Sequence, residues 1–469
     1  MNKLLICKAI RYLLGIVATL SISICSYASE SSDSLLNLLF QGRCFEARDL
    51  YNTLKIDSIS PAAQTFYKYK DCYFNNNLEG AREYLNYFID NHLADIPVDQ
   101  KFIFLNLLVD LETEARDYCE LEKSYFKILK ILDSPPFCNA EYSQWSEAQK
   151  GTLNEYIHLA RRNQIIVPKM RVHSLKEKPS FIDFFYDKTG SIINCASTLN
   201  EHKIDVTIDT GLGVPCLLKQ HVADSLGLKK IDFYLDSLSF NGVPTAVYAT
   251  LIDSIEVANK RVYNILGVVM QESYSTEHKE LPVNIILGLP VLREFEGISF
   301  DWMNQKLSLT DNICSKLKAL DYADMYILYN CLYSRLYLNN QPFVGMVDTG
   351  YGASPLSLYG RYFSPIEKEF VIGNRTTRQI GTINYTFSST LLNLSKVAVK
   401  FSKGSEPYII NNADVILEAP ITFGIQDGII GLSFFKEISK STYIDLQNMK
   451  ITINPLNQQQ NEKEKTNFD

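Results

Sequence analysis

The fold of this chain is decided by two stretches, Ile204-Asp205-Val206-Thr207-Ile208-Asp209-Thr210-Gly211 and Phe343-Val344-Gly345-Met346-Val347-Asp348-Thr349-Gly350, which both end in Asp-Thr-Gly. Each is an apolar strand pattern that stops at a carboxylate. At a similar distance downstream, each is followed by a branched apolar run closing on glycine, Ile285-Ile286-Leu287-Gly288 and Ile429-Ile430-Gly431. Matching frames of this kind indicate an internal duplication. One carboxylate per copy predicts that Asp209 and Asp348 pair where two similar lobes meet.

The chain before the duplication has a different pattern. Residues from about 33 to 165 show helical periodicity, with turn residues such as Gly42 and Asn75-Asn76-Asn77 between amphipathic runs. From Ile165 onward, short β-branched and aromatic runs alternate with turn signals. We therefore predict a multidomain α + β protein. Its parts are a helical-hairpin region at 29–165, two mostly β lobes at 166–311 and 312–456, and a polar, disordered tail at 457–469.

The N-terminus has the pattern of an export signal. A basic start precedes an apolar stretch at 13–24, and Ser26-Tyr27-Ala28 offers small residues for cleavage. These features predict a signal peptide at 1–28 and a periplasmic or extracellular protein. Cys25 leaves a lipid anchor open as an alternative. No other segment is apolar enough to predict a transmembrane span in the mature chain.

Composition excludes several classes of function. The chain is 46% hydrophobic and 21% charged, as globular proteins are, and its net charge of −7 gives no reason to expect nucleic acid. The six histidines lack metal-site spacing, and no serine-hydrolase elbow, phosphate loop or dinucleotide fingerprint is present. The cysteines form no Cys-x-x-Cys pair and fit small buried residues better than a disulfide framework. We expect neither a metal nor an organic cofactor.

The duplicated part resembles the retropepsin-like aspartic peptidases, as two fused copies of the type found in exported bacterial proteins. Besides Asp-Thr-Gly, the matching pieces are Gly227-Leu228, Ile286-Leu287-Gly288-Leu289 with Phe300-Asp301, and Asp427-Gly428-Ile429-Ile430-Gly431-Leu432 with Ile444-Asp445. The resemblance implies a bilobal endopeptidase in which Asp209 and Asp348 share one proton and activate a water. It also implies that Thr210 and Thr349 interlock beneath the pair, while Gly211 and Gly350 bring the backbone close to it.

The resemblance further implies that an extended peptide substrate is held beneath two flap hairpins. These fall around 239–248 and 371–385, and Tyr248 or Tyr385 is the candidate to face the cleft. Each block should close with a short helix and a final strand. The short linker between the blocks favours a monomer with an internal pseudo-dimer over pairing with another chain.

The helical region resembles tetratricopeptide-type hairpins, in which Gly42, Ala47 and Tyr51 match the expected pattern. Two uses stay open for it, a groove that binds a protein partner and a cap over the catalytic body.

The two copies depart from the family where a hydroxyl residue normally follows Asp-Thr-Gly. Leu212-Gly213 and Tyr351-Gly352 stand there instead, with Ser354 as a shifted candidate in the second block. Loss of a hydrogen bond to the charged form should raise the pKa values of the pair and move activity toward neutral pH. The alternative is a catalytically silent bilobal protein that binds a peptide or a partner.

Overall fold

A computed structural model describes residues 30–175, 181–187, 190–233, 237–240, 243–258, 260–271, 284–310, 321–381, 386–417 and 426–456. The chain divides into two compact units, Met1–Ile165 and Ile166–Asp469. A helical N-terminal region is followed by a large β-rich part, so the architecture is mixed α + β. The predicted signal peptide and the predicted tail lie outside the described residues.

The first unit is built from helical hairpins. Polar caps begin several helices: Ser60, Asn77 and Asp117 accept backbone N–H groups in the first turn of their helices. Phe66, Phe88 and Phe104, from three different helices, contact one another in its core. The helices are α1 (Glu30–Phe40), α2 (Cys44–Thr53), α3 (Pro61–Phe74), α4 (Leu78–His92), α5 (Val98–Ala115), α6 (Tyr118–Leu132) and α7 (Ser143–Ile166).

The first lobe of the β-rich unit has short strands, two long ones and two short helices. Its elements are β1 (Arg171–Ser174), β2 (Ile182–Tyr186), β3 (Ile193–Leu199), β4 (His202–Asp209), β5 (Cys216–Lys219), α8 (Gln220–Ser225), β6 (Ser237–Phe240), β7 (Val243–Val257), β8 (Lys260–Met270), β9 (Ile285–Gly288), α9 (Leu289–Leu292), β10 (Gly297–Asp301) and β11 (Lys306–Thr310).

The second lobe repeats this order from β12 onward. Its elements are β12 (Asp321–Leu328), β13 (Cys331–Leu338), β14 (Gln341–Asp348), β15 (Leu356–Tyr359), α10 (Gly360–Phe363), β16 (Val371–Gly381), β17 (Thr386–Lys400), β18 (Tyr408–Ile410), β19 (Ala413–Ile416), β20 (Gly428–Gly431), α11 (Leu432–Ile438), β21 (Ser439–Asp445) and β22 (Lys450–Pro455).

Strand pairing shows that the two lobes share one topology. In the first, β4 lies parallel to β9 with Asp209 beside Gly288, and β5 is antiparallel to β9 and parallel to β8. In the second, β14 lies parallel to β20 with Asp348 beside Gly431, and β15 pairs in the same senses with β20 and β19. The duplicated sequence frames therefore fold into duplicated sheets.

A sheet shared by both lobes joins them. Strand β10 pairs antiparallel with β21, and the order β2–β11–β10–β21–β22–β12 continues outward on each side. The indole Nε1 of Trp302 donates a hydrogen bond of 2.9 Å to Thr442 Oγ1 across this junction. One apolar core runs through the two lobes, so they form one packed body.

Each predicted final strand is in fact a two-stranded hairpin, β10–β11 and β21–β22. The carboxylates of Asp301 and Asp445 accept backbone N–H bonds from Asn304 and Asn448, at 3.0 and 2.8 Å. An aspartate that binds the backbone ahead of it starts a turn. The polar residues Asn304-Gln305 and Gln447-Asn448 mark these turns within 298–309 and 442–453, and a single strand was the wrong prediction.

Candidate active site

Asp209 and Asp348 come together at the ends of β4 and β14. Each carboxyl group lies against the glycine of the opposite Asp-Thr-Gly, so the two groups are neighbours at the junction. Asp209 is 8% exposed, and Asp348 is half-buried. The backbone N–H of Gly211 donates to Asp209 Oδ1 at 2.8 Å, and that of Gly350 donates to Asp348 Oδ1 at 2.9 Å. Each loop thus holds its own carboxylate in place through the glycine that ends its Asp-Thr-Gly.

The glycines also make the close approach of the two lobes possible. A Cβ added to Gly211 would lie 2.5 Å from Cγ of Asp348, and one added to Gly350 would lie 2.5 Å from Cγ of Asp209. Such distances are well inside van der Waals contact. Any side chain at either glycine would therefore push against the carboxylate of the opposite lobe.

The threonines form a reciprocal hydrogen-bonded lock under the carboxyl pair. Thr210 Oγ1 donates to Val347 O at 2.7 Å and accepts from Thr349 N at 3.1 Å. Thr349 Oγ1 donates to Ile208 O at 2.8 Å and accepts from Thr210 N at 3.1 Å. Both side chains are buried. The four bonds cross between lobes, so the relative position of the two loops is fixed by groups that water does not reach.

Burial controls the protonation of the pair. It raises the pKa of Asp209, against hydrogen bonds from Asp348 and from the backbone N–H groups of Gly211, Leu212 and Gly350, which lower it. Burial also raises the pKa of Asp348 well above its ordinary value, and the nearby Asp209 charge raises it further. Two adjacent carboxyls in a dry site cannot both ionise readily. The pair therefore retains a proton to higher pH than a solvent-exposed aspartate.

Two glycines allow strands to pass beneath the loops. A Cβ on Gly288 would lie 2.5 Å from Leu212 O, and one on Gly431 would lie 2.5 Å from Ser354 O. The N–H groups of these glycines donate to Pro215 O and Pro355 O, both at 2.9 Å. Close backbone approach inside a strand is the role expected for such glycines.

The hydroxyl of Ser354 does not serve the carboxyl pair. It donates to Leu356 O at 2.9 Å and contacts Asn412 O at 3.1 Å, away from Asp348. Tyr351, the residue after Gly350, instead places its hydroxyl 2.7 Å from Ser357 Oγ. Burial raises the pKa of Tyr351 to about 12, and the charges of Asp414, Asp348 and Arg378 all act on this side chain.

Hairpins occupy both predicted flap segments, formed by β6 with β7 and by β16 with β17. Tyr248 was predicted as a candidate to face the cleft. Its side chain packs into the main core instead. Its neighbour Val247 points to the opposite face and belongs to the apolar cluster that includes Leu212, the residue after the first Asp-Thr-Gly. Successive strand residues alternate between faces, so of two neighbouring residues only one can point toward the carboxyl pair. Tyr385 lies outside the described residues.

Within the described ranges, no group of three or more histidine, cysteine or acidic side chains could hold a metal ion. No disulfide joins the seven cysteines described there. No described helix is long and apolar enough to cross a membrane.

No protein-family model matches the chain, and no curated protein matches it. Among solved structures, it is similar to a retropepsin-like aspartic protease from Rickettsia conorii, at 23% identity over 30% of this chain and 92% of that one, with a TM-score of 0.21. It is also similar to conglutin gamma, a basic 7S globulin from lupine seeds, at 10% identity, 60% and 95% coverage and a TM-score of 0.36. A third structure, edgp, gives 9% identity, 60% and 96% coverage and a TM-score of 0.35. These scores are too low to support a function, which has to be inferred from the geometry of the carboxyl pair.

Proposed function

We propose that the chain is an aspartic endopeptidase whose catalytic residues are Asp209 and Asp348, one from each lobe. The observation that carries this proposal is the placement of the two carboxyl groups side by side, each held by the glycine N–H of its own loop and packed against the glycine of the other. Thr210 and Thr349 support it, because their cross-lobe hydrogen bonds fix the relative position of the two loops that carry the aspartates. A pair that shares one proton offers a base and an acid within reach of one substrate.

Peptide hydrolysis follows from this arrangement. The ionised carboxylate takes a proton from a water between the two groups, and the protonated carboxyl donates toward the carbonyl oxygen of the scissile bond. The hydroxide equivalent adds to the carbonyl carbon, and the tetrahedral species collapses when the leaving nitrogen is protonated. No covalent intermediate with the protein and no cofactor are required. Exclusion of water by the buried site strengthens each electrostatic contact.

The test is cleavage of a diverse peptide library from pH 3 to 8 by the exported form of the chain. Asp209→Asn and Asp348→Asn should each abolish cleavage. Asp205→Asn is the matched control, because Asp205 lies on the same strand, β4, but is exposed. Circular dichroism checks that all variants fold. Cleavage that persists in Asp209→Asn or in Asp348→Asn would contradict a mechanism that needs both carboxyl groups.

A silent peptide-binding protein is the second candidate. It is favoured by one observation: in the described part of the chain, no serine or threonine hydroxyl donates to either carboxylate, and Ser354 points elsewhere. Peptide binding by a folded wild type that cleaves nothing across the pH range would select this candidate.

The setting of the enzyme is also part of the proposal. We place the chain outside the cytoplasm, because residues 1–28 have the order of a signal peptide, with Cys25 as an alternative lipid attachment point. The helical unit either recruits a protein partner or caps the catalytic body. Deleting residues 30–165 separates these uses, since loss of a cap raises peptide cleavage and loss of a recruiter leaves small-peptide cleavage unchanged.

A further inference from the structure

The two lobes differ in the sheet face that lies behind the carboxyl pair and under each hairpin. In the first lobe this face is mostly apolar, with Thr245 of β7 as a polar member beside Leu238. Its members begin with the residue after Asp-Thr-Gly and include one residue of the hairpin strand β6: Leu212, Val214, Leu217, Leu238, Val247, Val268, Met270 and Ile286. Its partly exposed members, Val214, Leu238 and Met270, offer an apolar wall to an aliphatic or aromatic side chain.

Strand register identifies the equivalent positions in the second lobe. Leu217 pairs with Val268 between β5 and β8, and Ser357 pairs with Asp414 between the matching strands β15 and β19. Two apolar residues of the first lobe are thus replaced by a hydroxyl and a carboxylate. The residue after Asp-Thr-Gly likewise changes, from Leu212 to Tyr351.

The hairpin strands show the same replacement. Leu238 of β6 pairs with Thr245, which stands two residues before Val247 on β7. Arg378 of β16 pairs with Ser389, which stands two before Leu391 on β17. Val247 and Leu391 occupy corresponding places in the two apolar clusters, so Arg378 stands where the first lobe has Leu238.

Among these polar groups of the second lobe, the positively charged side chain of Arg378 is the more exposed and the carboxylate of Asp414 is buried. Arg378 Nη1 donates to Asp414 Oδ2 at 3.3 Å, with the side chain of Asp414 5% exposed and that of Arg378 49% exposed. The buried carboxylate thus lies beneath the guanidinium, which has five N–H donors and commits one of them in the described structure. Asn393 Nδ2 is 3.5 Å from the other oxygen of Asp414 and helps to hold it.

Two further hydroxyls on this face are without partners in the described part of the chain. Ser389 Oγ and Thr376 Oγ1 are buried and make no hydrogen bond there. Ser389 pairs directly with Arg378, and Thr376 is two residues from it on the same strand, so all three side chains share one face. Buried hydroxyls without partners are rare, and they mark a surface suited to a polar group.

From this asymmetry we propose that the second lobe selects an acidic side chain of the substrate, bound by Arg378, while the first lobe selects an apolar one. The proposal rests on the proposed peptidase function. Asp414 is a positioning residue that orients the guanidinium from below, and a carboxylate is the partner that a planar guanidinium binds with two parallel hydrogen bonds. A basic substrate side chain is disfavoured, because the exposed guanidinium of Arg378 covers the buried carboxylate of Asp414.

The test compares peptides that differ only by glutamate or glutamine at each position near the scissile bond, above pH 5.5 so that the glutamate is ionised. At one position the wild type should prefer glutamate by about tenfold in kcat/KM, the order expected for a bidentate charged contact. Arg378→Gln should reduce this preference to about twofold or less. Arg375→Gln is the matched control, since Arg375 is an exposed arginine on the same strand, β16.

A double variant tests the asymmetry itself. Arg378→Leu with Asp414→Val installs the residues found at the equivalent places of the first lobe, and it avoids leaving a buried carboxylate unpaired. This variant should cleave best with leucine at the position where the wild type prefers glutamate. An unchanged preference in Arg378→Gln, or equal cleavage of glutamate and glutamine peptides at every position, would overturn the proposal and leave the peptidase function standing.

If the wild type cleaves nothing, calorimetry with the same peptides separates the two proposals. Binding that requires both glutamate and Arg378 would retain the acidic site and overturn the peptidase. Absence of glutamate-dependent binding would overturn the acidic site as well.

Discussion

The threonine lock predicts a large and specific loss of stability. Thr210→Val keeps the shape of the side chain but removes the hydrogen bond to Val347 O and the acceptor for Thr349 N. Both backbone groups are left in a buried junction, and each buried group without a partner costs about 1–3 kcal/mol. The variant should therefore lose about 2–6 kcal/mol of the free energy of unfolding of the β-rich unit. Thr349→Val removes the other two bonds and should lose a similar amount.

The matched control is Thr250→Val. Thr250 is fully buried, but its hydroxyl makes a single bond, of 2.8 Å, to Lys229 O within the first lobe. Lys229 is an exposed residue, and one ordinary hydrogen bond is lost, so the expected loss is about 1 kcal/mol. The comparison isolates the cross-lobe position, because both changes delete one buried threonine hydroxyl.

The measurement is urea unfolding followed by the fluorescence of Trp302. The chain has two tryptophans, and Trp145→Phe silences the one in the helical unit. Trp302 is buried, stacks on Phe300 and bonds to Thr442 of the other lobe, so it reports on the shared sheet. A Thr210→Val loss no larger than that of Thr250→Val would show that the lock does not hold the lobes together.

Three further outcomes are expected. Gly350→Ala should abolish cleavage in a chain that still folds, because its methyl group would displace the Asp209 carboxylate; activity within tenfold of wild type would contradict the crowding of the loops. Asp348→Asn should raise the melting temperature more at pH 7 than at pH 3. The pKa of Asp348 in the folded protein is raised above the unfolded value of about 3.9, so the wild type loses stability as pH rises through the folded pKa. The asparagine amide does not ionise, so the variant does not lose this stability. A melting-temperature difference that is the same at both pH values would contradict this. Asn77→Ala should cost about 1 kcal/mol by removing the cap on Gly80 N, as measured by thermal unfolding of the Trp145 signal, with the exposed Asn91→Ala as control.

Much of the framework is readable from local patterns. Strands that end at Asp209 and Asp348 are visible because each apolar run is short and stops at a turn, and Gly288 and Gly431 repeat at matching distances. The change from helical to strand periodicity near residue 165 is equally local. These features depend on neighbours in the chain, which a sequence displays directly. The catalytic role of the two aspartates stays a prediction until cleavage is measured.

Other features depend on partners far away in sequence. The pairing of β10 with β21 joins the ends of two lobes, and no local pattern specifies which strand meets which. The orientation of Tyr248 could not be predicted for a related reason. Its long strand carries apolar residues on both faces, so the alternation of side chains does not show which face meets the core. Arg378 and Asp414 are far apart in sequence, and only the hairpin and the adjacent strand bring them together.

The duplication separates what the two lobes must share from what they are free to change. Four residues around the carboxyl pair are the same in both copies: the aspartate, the threonine, the glycine after it and the glycine beneath it. The residue after Asp-Thr-Gly differs, Leu212 in one copy and Tyr351 in the other. The two threonines bond to each other's loops, and Gly211 and Gly350 each face the carboxylate of the opposite lobe, so a change in one copy would disturb the other. Residues one layer further out, under the hairpins, meet no counterpart, and there Leu238 and Val268 correspond to Arg378 and Asp414. A symmetric reaction centre with unequal walls can favour one direction of an extended chain over the other, whereas two identical copies would bind both directions equally.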